Sequence, residues 1–422
     1  MISFWRIFWL EFVAWMRSKA LAMLVVASVL WVLGFRHLVT GDGTAAGERE
    51  LYVHFSLGGV FALLVVTLLA SATGSLARER AEKRLQLTMV RPVRHFSIVF
   101  GKVLAHVAVG ALALAVACAV LLGLTDPSVP CSHVLSPVMP APQEEAKVMY
   151  EEFMKDPSTP EAVRRTKKPI VLRLLAQRAL DRYETIQTNS TGSWTFDGLA
   201  GLSSTEGLAV RMRFTNQYEM RQDVRGEFVL GDFRGAVSNV TQAVLTVPLT
   251  ARTSDRSRGP GVLAFENQGR SALMLRPRRD INLLLPADAF GWNLLRTYVA
   301  LLAILALVIS AGTFLSAGLG RPVALFVAFV ALIVSEMSPS VVEQYPDELE
   351  SNAVDRMGLC IARFAADVTR PVSAASPLET LSADECVEVA AVWRLVAVDL
   401  LLAPVLLSLL AAFVLPHKQE DA

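Results

Sequence analysis

The sequence predicts an α-helical polytopic membrane protein of about six transmembrane helices, interrupted by an inserted α+β domain that is a β-sandwich plus helices. Three observations lead there. The 422-residue chain is 53% hydrophobic and only 19% charged, against about 45–50% and roughly 25% for a soluble domain. Its apolar residues gather into blocks, several of them near the roughly 20 residues that a helix needs to cross a bilayer. Between the third and fourth blocks lies a polar interval, 125–290, long enough for a folded domain. The net charge of +1 gives no reason to expect a nucleic-acid partner.

The opening segment, 1–19, carries Trp5, Phe8, Trp9, Phe12 and Trp15 at helical spacing, interrupted by Arg6 and Glu11. Indole rings favour the headgroup region, so this segment is either a helix along the cytoplasmic surface or an extension of the first span. The expected spans are 20–39, 53–76, 103–124, 292–319, 323–337 and 389–416. The fifth is short and contains Glu336, which suits a tilted or partly buried helix. A signal peptide has an apolar core of about 7–15 residues followed by a small-residue cleavage site. The long aromatic lead-in with Glu11 favours an uncleaved anchor instead.

Lysine and arginine near span ends set the orientation. Arg6, Arg17 and Lys19 precede the first span, and Arg78, Arg80, Lys83, Arg84, Arg91, Arg94 and Lys102 lie between the second and third. Arg321 joins spans four and five, and Lys418 lies in the tail at 417–422. The loop between spans one and two has only Arg36 and Arg49. Both termini are therefore expected in the cytoplasm of a multi-pass protein of the inner membrane. The intervals 125–290 and 338–388 then lie outside the cell membrane.

Within the larger interval, Pro127, Pro130, Pro137, Pro140 and Pro142 read as a linker. Thr159-Pro160-Glu161 has the order of a helix start. A second helix is expected after Pro169, with Val171, Leu174, Leu175, Ala179, Tyr183 and Ile186 on one apolar face. From about Trp194 the period changes to two, and short strands are expected around 208–214, 227–230, 243–249, 262–265, 272–275 and 281–285. Cys118 lies in an apolar block, whereas Cys131, Cys360 and Cys386 lie in polar stretches. An oxidising outer compartment permits a disulfide between Cys360 and Cys386, although sequence does not choose among the three.

No catalytic, cofactor-binding or metal-binding constellation is visible. Gly101-Lys102 is followed by Val103 and lacks the upstream glycine of a phosphate loop, and H-E-x-x-H and G-x-S-x-G are missing. The informative stretch is 77–102. A charged helix continues out of span two, turns at Pro92 and re-enters the membrane. Basic charge alone fits a topology-setting loop, but Glu79 and Glu82 interleaved with it favour a docking surface.

Glu79-Arg80, Leu85, Leu87, Arg91-Pro92-Val93-Arg94 and Gly101-Lys102 resemble the cytoplasmic loop of permease subunits of type-2 ABC exporters. Phe290, Asn293-Leu294-Leu295-Arg296 and Arg321-Pro322-Val323-Ala324 resemble a branch with a large outer domain between spans three and four. The chain departs from the pattern at Arg84-Leu85, where family members often have a small residue followed by threonine. The resemblance implies a dimeric channel, from a homodimer or a paired permease, driven by a separate cytoplasmic ABC ATPase. ATP and Mg would bind that partner, with no cofactor on this chain. Arg78, Glu79, Arg80, Glu82, Lys83, Leu85, Leu87, Arg91 and Pro92 would carry the coupling.

Asp399 is the one acid deep in the sixth span, where a charge costs about 2.5–3.5 kcal/mol on insertion scales. A structural pairing is favoured there over a substrate contact. The competing function is a membrane-anchored envelope protein whose outer domain binds a partner or does mechanical work without moving a solute.

Overall fold

The structure is a computed structural model. It describes residues 2–40, 45–82, 94–127, 129–138, 142–155, 168, 170–172, 174–176, 178, 185–196, 207–213, 224–238, 244–251, 261–269, 273–275, 280–344 and 377–417. The chain divides into a helical unit, 1–131 with 288–422, and an inserted unit, 132–287. In chain order the helices are α1 (Ile2–Arg17), α2 (Ala20–Leu38), α3 (Ala45–Ala81), α4 (His95–Leu124), α5 (Pro142–Lys155, in the inserted unit), α6 (Phe290–Gly318), α7 (Arg321–Gln344) and α8 (Pro377–Ser382). The last membrane helix follows in three pieces: α9 (Val389–Leu395), a π-helical segment (Val396–Leu402) and α10 (Ala403–His417).

Among the described residues, five stretches are long and apolar enough to cross a membrane: α2, Gly47–Arg80 within α3, α4, α6, and Val389–Leu415. The fifth expected span corresponds to α7, whose shorter apolar stretch is Arg321–Val334. The opening aromatic segment is a helix in its own right rather than an extension of the first span. Lys19 breaks the run by adopting a left-handed backbone, φ 57°. Beside it, the Ser18 hydroxyl donates to the Trp15 carbonyl at 3.0 Å and accepts from the Ala20 amide at 3.4 Å.

At the centre of the helical unit, α3, α4 and α6 pack on one another. Their shared core includes Leu57, Leu64, Leu68, Leu114, Leu301 and Leu305, all nearly inaccessible. Association between membrane helices relies on close packing, because lipid is as apolar as leucine. Glycines at the contacts serve that need: Gly110 lies under Leu305 and Leu68, and Gly312 under Leu69. Where α2 meets α3, Gly59 makes room for the Trp31 indole, whose N–H donates to the Phe55 carbonyl at 3.1 Å.

The inserted unit contains a four-stranded sheet and a five-stranded sheet. The first has the order β1 (Pro130–Leu135), β11 (Ile281–Ala289), β4 (Ala209–Arg213), β7 (Val244–Pro248). The second has the order β3 (Thr191–Thr195), β9 (Val262–Asn267), β5 (Gly226–Leu230), β6 (Phe233–Val237), β8 (Thr250–Ala251). One apolar core joins Val210, Met212, Val247 and Leu283 of the first to Phe228, Leu263 and Phe265 of the second, which makes the unit a two-sheet sandwich. Alternation explains the burial. In β5 the residues Gly226, Phe228 and Leu230 point inward, while Glu227 and Val229 are partly exposed.

Several expectations are corrected here. The proline-rich stretch is not all linker, because β1 and α5 both form within it. Ile186 belongs to a strand, β2 (Thr185–Ile186), and pairs with Leu273 of β10 (Leu273–Met274) rather than extending the helical face of Val171 and Leu175. Leu174 is 66% exposed, so it also leaves that face. Ala179, Tyr183 and Thr159-Pro160-Glu161 lie outside the described residues.

Candidate functional site

At the charged end of α3, two adjacent side chains reach two different neighbours. Successive residues on an α-helix are turned about 100° apart, so Glu79 and Arg80 cannot share one face. Glu79 accepts from the Lys102 ammonium of α4 at 2.8 Å. Arg80 donates to the Ser316 and Ala317 carbonyls of α6 at 2.6 and 2.7 Å. Those carbonyls belong to the last turn of α6, where the helix lacks donors of its own and its dipole favours a cation.

Lys102 sits in the first third of the apolar helix α4, with its side chain only 4% exposed. A buried ammonium requires counter-charge. The second partner comes from α1, whose Glu11 lies 3.3 Å away. Gly101 allows α1 this close, since a Cβ there would meet Ile7 and the Phe4 backbone. Ring contacts reinforce the packing, with Phe4 5.6 Å from Phe100. One lysine therefore ties α1 to α3 across α4.

One turn further along α4, His106 is fully buried between α1 and α3. Its Nδ1 faces the Lys102 carbonyl at 2.8 Å and its Nε2 faces the Ser71 hydroxyl at 3.1 Å. A carbonyl can only accept, so Nδ1 carries the hydrogen and, in the neutral ring, Nε2 accepts from Ser71. The Trp15 indole packs edge-on against the ring at 5.7 Å.

The residues expected to dock a partner are thus divided. Arg78 and Glu82 are exposed at the end of α3, whereas Glu79 and Arg80 are partly buried and turned to other helices. Lys83, Leu85, Leu87, Arg91 and Pro92 lie outside the described residues. Glu11, Ser71 and His106 were not singled out as site residues from sequence. The available signal was Lys102 itself, a lysine inside an apolar run, which demands acidic partners elsewhere in the chain.

The opposite end of the same helices is held differently. Cys131 pairs with Cys386, their Cα atoms 5.3 Å apart. This corrects the expected Cys360–Cys386 pairing: Cys386 is already bonded, and Cys360 lies outside the described residues. Proximity in sequence favoured Cys360, but a span of 255 residues brings Cys131 to the site. Nearby, Asn293 of α6 donates to the Glu385 carbonyl at 2.6 Å and accepts from the Val387 amide at 2.8 Å. Arg49 of α3 pairs with Asp384 at 3.4 Å and lies over the Phe290 ring. Arg296 is bonded to Asp288 at 2.6 Å. Phe290, Asn293 and Arg296, which carried part of the sequence resemblance, all serve this end.

Asp399 lies within the π-helical segment and is 4% exposed. Its Oδ2 has no hydrogen-bond partner among the described residues, so the structural pairing expected from sequence is not seen for that atom.

Residues 7–135 match a family model described as ABC-2 family transporter protein. The match takes in α1 from Ile7, α2, α3 and α4, and ends at Leu135. No curated protein and no solved structure matches the chain.

Proposed function

We propose, from the match of residues 7–135 to a family model described as ABC-2 family transporter protein, that this chain is a permease subunit whose α3 end receives the work of a separate ABC ATPase. The observation that carries the reading is the double anchorage of Glu79 and Arg80. A partner bound to the exposed Arg78 and Glu82, and to the 83–93 segment beyond them, would pull on a helix end joined to α4 and α1 through Lys102. The same end is joined to α6 through two carbonyl bonds. Displacement at one point would then reach four helices. Such a device does work only if ATP binding favours one arrangement over another, because contact without differential affinity moves nothing.

In this reading ATP and Mg belong to the partner, the termini are cytoplasmic, and a second permease chain completes the pathway. The inserted sandwich would lie on the outer side of the inner membrane, where the Cys131–Cys386 disulfide is chemically at home.

The test is co-purification of the solubilised chain with ABC ATPase subunits of its own genome, comparing wild type with Arg78→Ala/Glu82→Ala. The expected result is a stable wild-type complex and at least tenfold less ATPase retained by the variant. A wild type that is folded and retains no ATPase would instead favour the anchored envelope protein.

A further inference from the structure

We propose that Asp399 is a proton-binding site in the last membrane helix, neutral in this conformation and ionised only when the π turn around it rearranges. The buried residues of that helix are Val392, Leu395, Asp399, Pro404, Ser408, Ala411 and Leu415, at intervals of three, four, five, four, three and four. A regular α-helix would carry the stripe forward by three or four each time, so the interval of five marks where the π turn inserts a residue. Without that insertion, Asp399 and the Ser408 stripe could not both face inward.

Pro404 is the physical cause. Proline has no N–H to donate. Across the π turn the Ala403 amide bonds the Val398 carbonyl. In the same register the Asp399 carbonyl would take its bond from residue 404, which has none to give. Asp399 thus combines an unpartnered side-chain oxygen with a main-chain oxygen whose regular donor is missing, in a residue 4% exposed. A proton on the carboxylate, taken from water, removes an uncompensated buried charge from a membrane helix.

Among the described residues, no cation on the packed elements takes the proton's place. The helix against this segment is α6, whose ionisable side chains are Arg296 and Tyr298. Arg296 is bonded to Asp288, and the Tyr298 hydroxyl donates to the Ala111 carbonyl at 3.3 Å. On the same helix, Glu388 and Arg394 are exposed, while His417 stands at the far end of α10. Cys118, a free and buried thiol, belongs to the core that Leu400 packs against.

The test is infrared spectroscopy of the full chain in lipid bilayers at neutral pH, for wild type and Asp399→Asn. The expected result is a protonated-carboxyl C=O band in the wild type that is missing from the variant. Asparagine imitates the neutral acid in shape, so the variant should keep the wild-type thermal midpoint. A folded wild type whose spectrum lacks that band would overturn the proposal. Pro404→Ala, which returns an N–H to the turn, should shift or abolish the band; an unchanged band would overturn the role given to the π turn.

Discussion

The two ends of α3, α4 and α6 are fastened by different chemistry. At one end, an ammonium between two partly exposed carboxylates and a guanidinium on two carbonyls hold the helices together. At the other, a covalent bond and a neutral amide clamp do so, with one ion pair beside them. Charged contacts between partly solvated groups exchange partners readily, whereas a disulfide holds its geometry until it is reduced. The comparison teaches where movement would begin if the proposed ATPase binds: at the Lys102 end, because the Cys386 end is held by a covalent bond.

The largest effect is expected from breaking the fixed end. Cys131→Ser/Cys386→Ser should cost about 2–5 kcal/mol, read as a lower thermal unfolding midpoint in detergent, while ATPase retention stays at the wild-type level. A parallel loss of ATPase would show that the two ends are not separable. Next is Lys102→Met, which strands Glu11 and Glu79. Removing one partner of a fully buried pair costs about 3–5 kcal/mol; with these carboxylates 25% and 32% exposed, we expect about 1–3 kcal/mol. Glu11→Gln/Glu79→Gln in the Lys102→Met background should recover part of that loss, and no recovery would break the triad account.

Asn293→Leu leaves the Glu385 carbonyl and the Val387 amide without their partner and should cost about 1–3 kcal/mol. Faster hydrogen exchange at Val387 would check the cause. The smallest effect is expected from Arg80→Ala, about 1 kcal/mol, because Arg80 is itself partly exposed and its removal opens the buried last turn of α6 to water.

The membrane blocks were legible in sequence because apolar runs of that length have few other uses. The alternating strands were legible because residues such as Val210 and Met212 face one core at a spacing of two. The β1 strand was hidden by flanking prolines, which signal extended chain without saying whether it pairs. Ile186 was misplaced because steps of three or four, continued from Leu175 through Ala179 and Tyr183, cannot reveal where a helix has already ended. At the site, sequence marked Glu79 and Arg80 as important but assigned them to the outside. Their partners, Lys102 and the Ser316 and Ala317 carbonyls, lie 23 and more than 230 residues away, and nothing local announces a contact at that distance.

The most direct measurement of the central claim compares ATPase retention by Arg78→Ala/Glu82→Ala with that by Glu79→Gln, alongside the unfolding midpoint of each. The account predicts that the first loses the ATPase and keeps its midpoint, whereas the second keeps the ATPase and unfolds at a lower temperature. If Glu79→Gln lost the ATPase as completely as the double variant, with its midpoint unchanged, Glu79 would be a docking residue and the inward anchorage would be contradicted.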